Sequence, residues 1–427
     1  MVAALNCIYT AKYLISGNAP PVEAGALLVQ DGRIASVGPL KEIKCNAPGV
    51  EVVDFHDALL LPLLVNAHTH LELTDFAQWA DAVGEVAQPQ NFVDWILRLI
   101  RVKRKLNGDQ YQLSLRHGIE QSLAAGTGAV GDILAHHTAR NLYQNYPLSG
   151  SLFLETLGQD PAVIHRLRNG LTQTLQDEVV GLVELGISPH SPYTISKDYL
   201  HSLYRYCQQQ KIRCTTHLAE SSDEVEFVEQ SRGDLAGRLY PQIGWENYVP
   251  HPSGLRPVEY LQQQGGLFPE NLLVHGVQLN KAEIEILAEK RMRLVLCPRS
   301  NANLNVGKAP AGKLYQSGVK LALGTDSLAS CDSLSIWDEM AFAQRWFEGE
   351  LDAPTLFNMA TLGGAESLGL ENEVGSLETG KSASFQVLQP KTMVAVDEIF
   401  DYFVSPGCSD DIMQVYHSGK TYSPRLD

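Results

Sequence analysis

Between Leu59 and about Gly369 the chain alternates short apolar runs with longer stretches of helical spacing. That alternation is restrictive, because strands separated by helix-length segments pair in parallel. Eight such units over about 300 residues close into a (β/α)8 barrel of the α/β class. The first run, LLLPLLVNAHTHLEL at 59–73, reads as one strand buried on both faces. The others lie at 128–133, 152–155, 183–187, 213–216, 272–274, 294–296 and 319–323. Helices are expected between them, at 198–208 and 281–289 among others. Another is expected at 92–105, where Phe92, Ile96, Leu99 and Val102 recur at helical spacing. The longest connection, 221–269, holds the Pro250-His251-Pro252-Ser253-Gly254 loop and is the expected lid, with a homodimer contact as the competing reading.

The two ends of the chain have a different texture. Apolar runs at 25–29 and 33–37 flank Gln30-Asp31-Gly32, and an Asp-Gly pair between such runs is a hairpin signal. A short strand follows at 51–54, and strand-and-turn character returns at 384–388 and 412–419. Residues 1–58 and 370–427 are therefore expected to form one composite β-sandwich around a barrel spanning 59–369.

Bulk properties exclude several function classes. The formal charge is 33 − 49 = −16, the opposite of the clustered positive surface that binds nucleic acid. The seven cysteines are scattered and form no C-x-x-C unit, so neither a disulfide framework nor a zinc knuckle is indicated. No apolar run approaches membrane-spanning length, and MVAALNCIYTAKYLISGN does not read as a signal peptide. The expected setting is cytoplasmic, with a small molecule as the partner.

The chemistry sits at the strand ends. His68 and His70 are two apart in an extended segment and can point to one side together. The fifth strand ends Thr216-His217-Leu218-Ala219-Glu220, the sixth Val274-His275-Gly276, and the eighth Gly324-Thr325-Asp326-Ser327. A strand-terminal His or Asp often only caps the next turn. Four at the C-terminal end of one barrel, where catalytic residues of this fold gather, point to a metal site. Imidazoles with a carboxylate suit zinc, with iron or manganese as alternatives, better than calcium or magnesium. Such an ion lowers the pKa of a bound water toward ~7. Glu220 is placed to manage the proton, while Asp326 and His275 are placed to accept it or to hold the hydroxide.

The set PLLVNAHTH, THLAE, LVHGV, CPRSNANL and GTDSLAS resembles the amidohydrolase superfamily, in its branch of cytosine, guanine and adenosine deaminases and triazine hydrolases. The motifs span residues 62 to 332, and the ends match that family's composite sandwich. The resemblance implies that His68, His70, His217 and Asp326 ligate one divalent metal. His275 would orient a hydroxide, and Glu220 would shuttle its proton to a ring nitrogen and on to the leaving group. His190, after the fourth strand, resembles a substrate-contacting histidine, and Ser300 and Asn301 would shape the site wall. Binuclear relatives carry a bridging lysine at the end of strand four; here the strand runs Gly186-Ile187-Ser188-Pro189-His190, so one metal is implied. Pro62-Leu63 and Ala383-Ser384 depart from the family's usual Pro-Gly and Ala-Asp, away from the chemistry.

Asp94-Trp95 lies where nucleoside deaminases of this branch place an acidic residue on the ribose. The runs 66–73 and 91–96 are most similar to aminodeoxyfutalosine deaminases of the futalosine route to menaquinone. Adenosylhomocysteine deaminases tend to carry arginine in the loop after strand three, and Thr156-Leu157-Gly158-Gln159-Asp160 has none. The expected activity is hydrolytic deamination of a 6-aminopurine nucleoside, with aminodeoxyfutalosine leading. Guanine or adenosylhomocysteine deamination and triazine or amide hydrolysis are the enzyme alternatives. A purine-binding barrel without turnover is the alternative of another class.

Overall fold

The computed structural model describes residues 6–177 and 181–422. The extreme ends of the expected sandwich, 1–5 and 423–427, lie outside the described residues. Eight parallel strands pair in chain order: β1 (Leu64–Thr69), β2 (Thr127–Leu134), β3 (Ser149–Thr156), β4 (Val183–Pro189), β5 (Cys214–Leu218), β6 (Asn271–His275), β7 (Arg293–Leu296) and β8 (Lys320–Leu323). Nearly every residue in them is buried, as expected of strands covered on both faces. The (β/α)8 expectation holds.

The barrel closes between β8 and β1 by an irregular seam. Thr69 and Asp326 form an isolated parallel bridge, and the Asp326 amide donates to the His68 carbonyl at 3.1 Å. One rung deeper, the Asn66 side chain substitutes for backbone pairing. Its amide donates to Thr325 Oγ1 at 2.8 Å, and its carbonyl accepts from the Thr325 amide at 3.1 Å. The strands pass so closely here that a Cβ on Gly324 would lie 2.7 Å from the His68 carbonyl. This seam draws His68, His70 and Asp326 to one spot.

Both chain ends fold into two further sheets. One runs Arg33–Pro39, Gly25–Gln30, Cys7–Thr10, Glu51–Asp54; the other runs Lys420–Tyr422, Ile412–His417, Phe385–Leu388, Leu59–Pro62, Tyr13–Leu14, Val22–Glu23. The expected Asp-Gly hairpin is present, with Gln30 opposite Arg33 and both Asp31 and Gly32 at positive φ, as a type I′ turn requires. Between the sheets lies an aromatic core in which the Phe385 and Tyr416 rings stack at 4.4 Å.

The reading of 59–73 as one strand needs correction. Leu59–Pro62 belongs to the terminal sheet, antiparallel to Phe385–Leu388, and the barrel strand starts only at Leu64. Alternation explains the residue types: Leu60 faces the sandwich core, while Leu59 and Leu61 face the barrel's helical layer. We therefore propose drawing the boundary between the two units at Leu63.

The helix Phe92–Lys103 is capped by Asn91, whose side chain accepts from the Asp94 amide. Phe92, Val93, Leu97 and Val102 are buried in it, and Trp95, Ile96, Leu99 and Ile100 are half-buried. The 221–269 connection folds over the same end of the barrel. Its middle, the five-residue π-turn Leu235–Leu239 and the turn after it, reaches the site, whereas the Pro250–Gly254 loop does not. Among the described residues, no helix is long and apolar enough to cross a membrane.

Candidate active site

His68, His70, His217, His275, Glu220 and Asp326 converge at the C-terminal mouth of the barrel. One donor atom from each of His68, His217 and His275 lies within 4.8 Å of the others; the same holds for His68, His70 and Asp326, and for Glu220, His275 and Asp326. Asp326 Oδ1 is 3.5 Å from His70 Nε2 and 3.7 Å from His68 Nε2, too far to be hydrogen-bonded. His68 Nε2 is buried with no hydrogen-bond partner. A buried imidazole nitrogen facing a carboxylate without bonding to it is costly unless an ion occupies the gap. The donor set therefore fits a divalent metal.

Surrounding groups fix how each donor points. His217 Nδ1 is 2.8 Å from the His190 carbonyl, so that nitrogen carries the proton and Nε2 is left as a donor pair. Asp326 Oδ2 accepts from Ser300 Oγ at 2.6 Å and Ser330 Oγ at 3.0 Å, which turns Oδ1 to the histidines. The Asn301 amide nitrogen is 3.1 Å from His275 Nδ1. With the amide donating, His275 Nε2 carries its hydrogen toward Glu220 Oε1, 3.6 Å away. The Glu224 carboxylate accepts from the Ala219 and Glu220 amides, both at 2.9 Å, and so anchors the turn that presents Glu220.

Three residues at these strand ends hold left-handed backbone: Ala219 (φ 52°), His275 (φ 74°) and Asp326 (φ 59°). Such conformations cost non-glycine residues about 1–3 kcal/mol each and persist where packing over-determines them. Here they swing β5, β6 and β8 sharply at their C-terminal ends.

The electrostatics suit metal binding. Burial pushes His70 and His275 down to about 3, and His217 well below the usual histidine range, so all three are neutral. Burial also pushes Asp326 up, but the neighbouring histidines outweigh it and hold the carboxyl well below its ordinary value. Glu220 moves the other way: burial, then the charges of Asp326 and Glu224, push it well above the carboxylate range.

These groups floor a cavity of about 460 Å³. Its outer wall is apolar, built by Trp95, Ile96 and Leu99 from the helix after β1 and by Leu239, Ile243 and Trp245 from the 221–269 connection. Arg104, exposed, stands at the rim. His190 lines the floor, its Nδ1 near Ser191 Oγ (2.9 Å) and Thr194 Oγ1 (3.1 Å). Trp95 lines the wall, fixed by Nε1 donating to the Ala329 carbonyl at 3.0 Å.

The sequence expectations for three residues differ from this geometry. Asp94 does not line the cavity; it faces a separate surface depression, paired with Arg238. The reason is helical phase: Asp94 shares the depression with Arg98 and Arg101, away from Trp95, Leu99 and Lys103, and Arg238 from the long connection pairs with it there. Ser300 and Asn301 do not form the wall but stand behind Asp326 and His275. Sequence reading also passed over Glu155 at the end of β3, Lys103 and Glu224. A strand-terminal carboxylate was the available signal for Glu155. For Lys103 it was the 95-99-103 spacing along the cavity face of the helix.

Comparison with known proteins gives the family. The model of the amidohydrolase family matches residues 59–421. The chain belongs to that family. This amidohydrolase is 30% identical to the aminodeoxyfutalosine deaminase of Deinococcus radiodurans over 372 residues, 85% of each chain. It is 28% identical to a 5-methylthioadenosine/S-adenosylhomocysteine deaminase of Thermodesulfovibrio yellowstonii, over 96% of this chain and 92% of the relative. The crystal structure of Helicobacter pylori aminofutalosine deaminase superposes with a TM-score of 0.83 at 22% identity, covering 97% of this chain and all of the other.

Proposed function

We propose that this amidohydrolase deaminates a 6-aminopurine nucleoside, with aminodeoxyfutalosine as the leading substrate and zinc as the ion held by His68, His70, His217 and Asp326. The observation that carries this reading is the clustering of Glu220 and His275 with the His/Asp groups at the floor of one cavity. When bound, a divalent ion supplies an activated water at neutral pH. Glu220, whose raised pKa suits it to hold a proton in transit, would carry one from the attacking water to the ring nitrogen beside the amino-bearing carbon. A second proton follows by the same carboxylate to the amino group, which leaves as ammonia, and a keto product remains. His275 Nε2–H orients the attacking oxygen, and Asn301 keeps that hydrogen on Nε2. His190 contacts the base.

The wall narrows the substrate class. A bare guanine or a triazine leaves most of the apolar surface from Trp95 to Trp245 uncovered, whereas a nucleoside with a bulky 5′ substituent covers it. Aminodeoxyfutalosine carries an aromatic arm ending in a carboxylate, and Arg104 at the rim offers it a counter-charge. The same wall also accepts the shorter arm of methylthioadenosine, which is the second reading.

The test is ammonia release by zinc-reconstituted protein offered aminodeoxyfutalosine, methylthioadenosine, adenosylhomocysteine, adenosine, guanine and a chlorotriazine. Aminodeoxyfutalosine should be fastest. Glu220→Gln should lower kcat by about 10²- to 10⁴-fold while keeping its metal. No ammonia from any compound, with metal bound, would sink the deaminase assignment.

A further inference from the structure

We propose that Glu155 accepts the two neighbouring hydroxyls of the substrate's ribose, making it the residue that selects nucleosides over deoxynucleosides and free bases. The inference rests on the nucleoside reading given above and adds a contact that the metal site does not require.

Glu155 ends β3 and lines the cavity floor. Its side chain is only 9% exposed, yet among the described residues no donor lies within hydrogen-bonding distance of its carboxylate. The nearest nitrogen is His190 Nε2 at 4.0 Å. His137 Nε2 reaches the Glu155 backbone carbonyl (2.9 Å), not the side chain. Lys103 sits closest to Glu72, at 3.9 Å from its Oε1, and makes no ion pair with Glu155 within 4 Å. Burial alone would push the Glu155 carboxyl up, but His190 and Lys103 outweigh it and keep it ionised, hence a pure acceptor. A buried carboxylate that accepts nothing is an expensive feature, and it faces the one space where a ligand can supply donors.

Position selects which donors. The His217 and His190 rings pack at 4.8 Å between centroids, so the floor runs outward from the metal donors through His190 to Glu155. A purine whose amino-bearing carbon meets the metal donors directs its sugar outward along that line. Asp94, the alternative acidic residue, is engaged by Arg238 outside the cavity. Lys103 and a bound divalent ion already make the surroundings positive, which disfavours a cationic ligand group and leaves neutral hydroxyls. The two oxygens of one carboxylate match a cis diol, one acceptor for each hydroxyl.

The experiment uses the metal-loaded full chain and a pair of unreactive product nucleosides, 5′-deoxyinosine and its 2′,3′-dideoxy analogue, with binding measured by calorimetry. Wild type should bind the diol on the order of 10- to 100-fold more tightly than the analogue. Glu155→Gln should bind both nearly alike and weakly, with metal content and Tm unchanged and, in turnover of 5′-deoxyadenosine, KM raised far more than kcat is lowered. Undiminished discrimination in Glu155→Gln, or none in wild type, overturns the inference even if ammonia release is robust. Diol discrimination that depends on Glu155 without ammonia from any nucleoside upholds the contact and overturns the deaminase reading instead. If neither nucleoside binds, both fall.

Discussion

The hydrogen bond from Ser300 to Asp326 offers a direct test of how the metal site is held. Ser300 Oγ lies 2.6 Å from Asp326 Oδ2, and Ser330 Oγ, at 3.0 Å, is the second donor to the same oxygen. Ser300 is fully buried, so no solvent stands ready to replace its hydroxyl. A hydrogen bond to a charged acceptor is worth about 1.5–3 kcal/mol, and the short Ser300 contact belongs at the upper end. Ser300→Ala should therefore free the carboxylate to rotate and weaken metal binding by about 10- to 100-fold, the usual cost of losing an outer partner of a metal ligand. Ser330→Ala should cost less, because its hydroxyl also serves Ser327 and the shorter Ser300 bond survives. The double variant leaves Oδ2 with no hydroxyl donor and should lose more than the two single variants together. Chelator competition for zinc across the four proteins reads all three numbers. If Ser300→Ala keeps wild-type affinity within about threefold while Tm falls, the serine supports the fold alone and the argument from Asp326 orientation is wrong.

Two further predictions concern charge. Burial holds Glu339 up to about 8, against the pull of the Arg299 amide and guanidinium, so the folded state keeps a proton that the unfolded chain releases near pH 4.5. This group's contribution therefore falls as pH rises from about 4.5 to about 8, by up to about 1.4 kcal/mol per pH unit; urea unfolding of Glu339→Gln should lack that part of the slope, and an unchanged slope refutes it. Asp94→Asn, which disturbs the half-exposed pair with Arg238 and the long bond from the Gln90 amide, should leave KM within about twofold and stability within about 1 kcal/mol of wild type. A tenfold rise in KM would return Asp94 to the ribose.

The barrel was legible because its strands are covered on both faces and its helices are not, so composition itself alternates along the chain. The same burial hid the passage between the two units. Every residue from Leu59 to Val65 is buried in one core or another, and an apolar run carries no mark of which sheet it joins. Only Pro62, which has no amide to donate, and Leu63, which stands in neither strand, register the change.

The proposed metal donors were legible for a related reason: each sits where an apolar run stops, and in a closed parallel barrel all such points lie on one rim. What lies around them depends on contacts far apart in sequence. Asp94 is turned from the cavity by its phase with Arg98 and Arg101, while the partner that holds it there, Arg238, stands 144 residues later. The helix 92–103 shows how a local pattern can be right and still incomplete. Phe92, Ile96, Leu99 and Val102 read as one amphipathic stripe, and Trp95 and Ile100, with Val93 and Leu97, widen it to more than half of the helix, leaving Asp94, Arg98 and Arg101 on the polar face. A stripe that wide at a barrel mouth offers more apolar surface than one packing contact covers. Here that surface is the wall of the cavity, and it brings Lys103 to the floor beside Glu72 and within the field of Glu155. A charged residue in phase with an apolar face too wide for one packing contact is thus the sequence mark of a lined cavity, and it separates this helix from one that is merely buried.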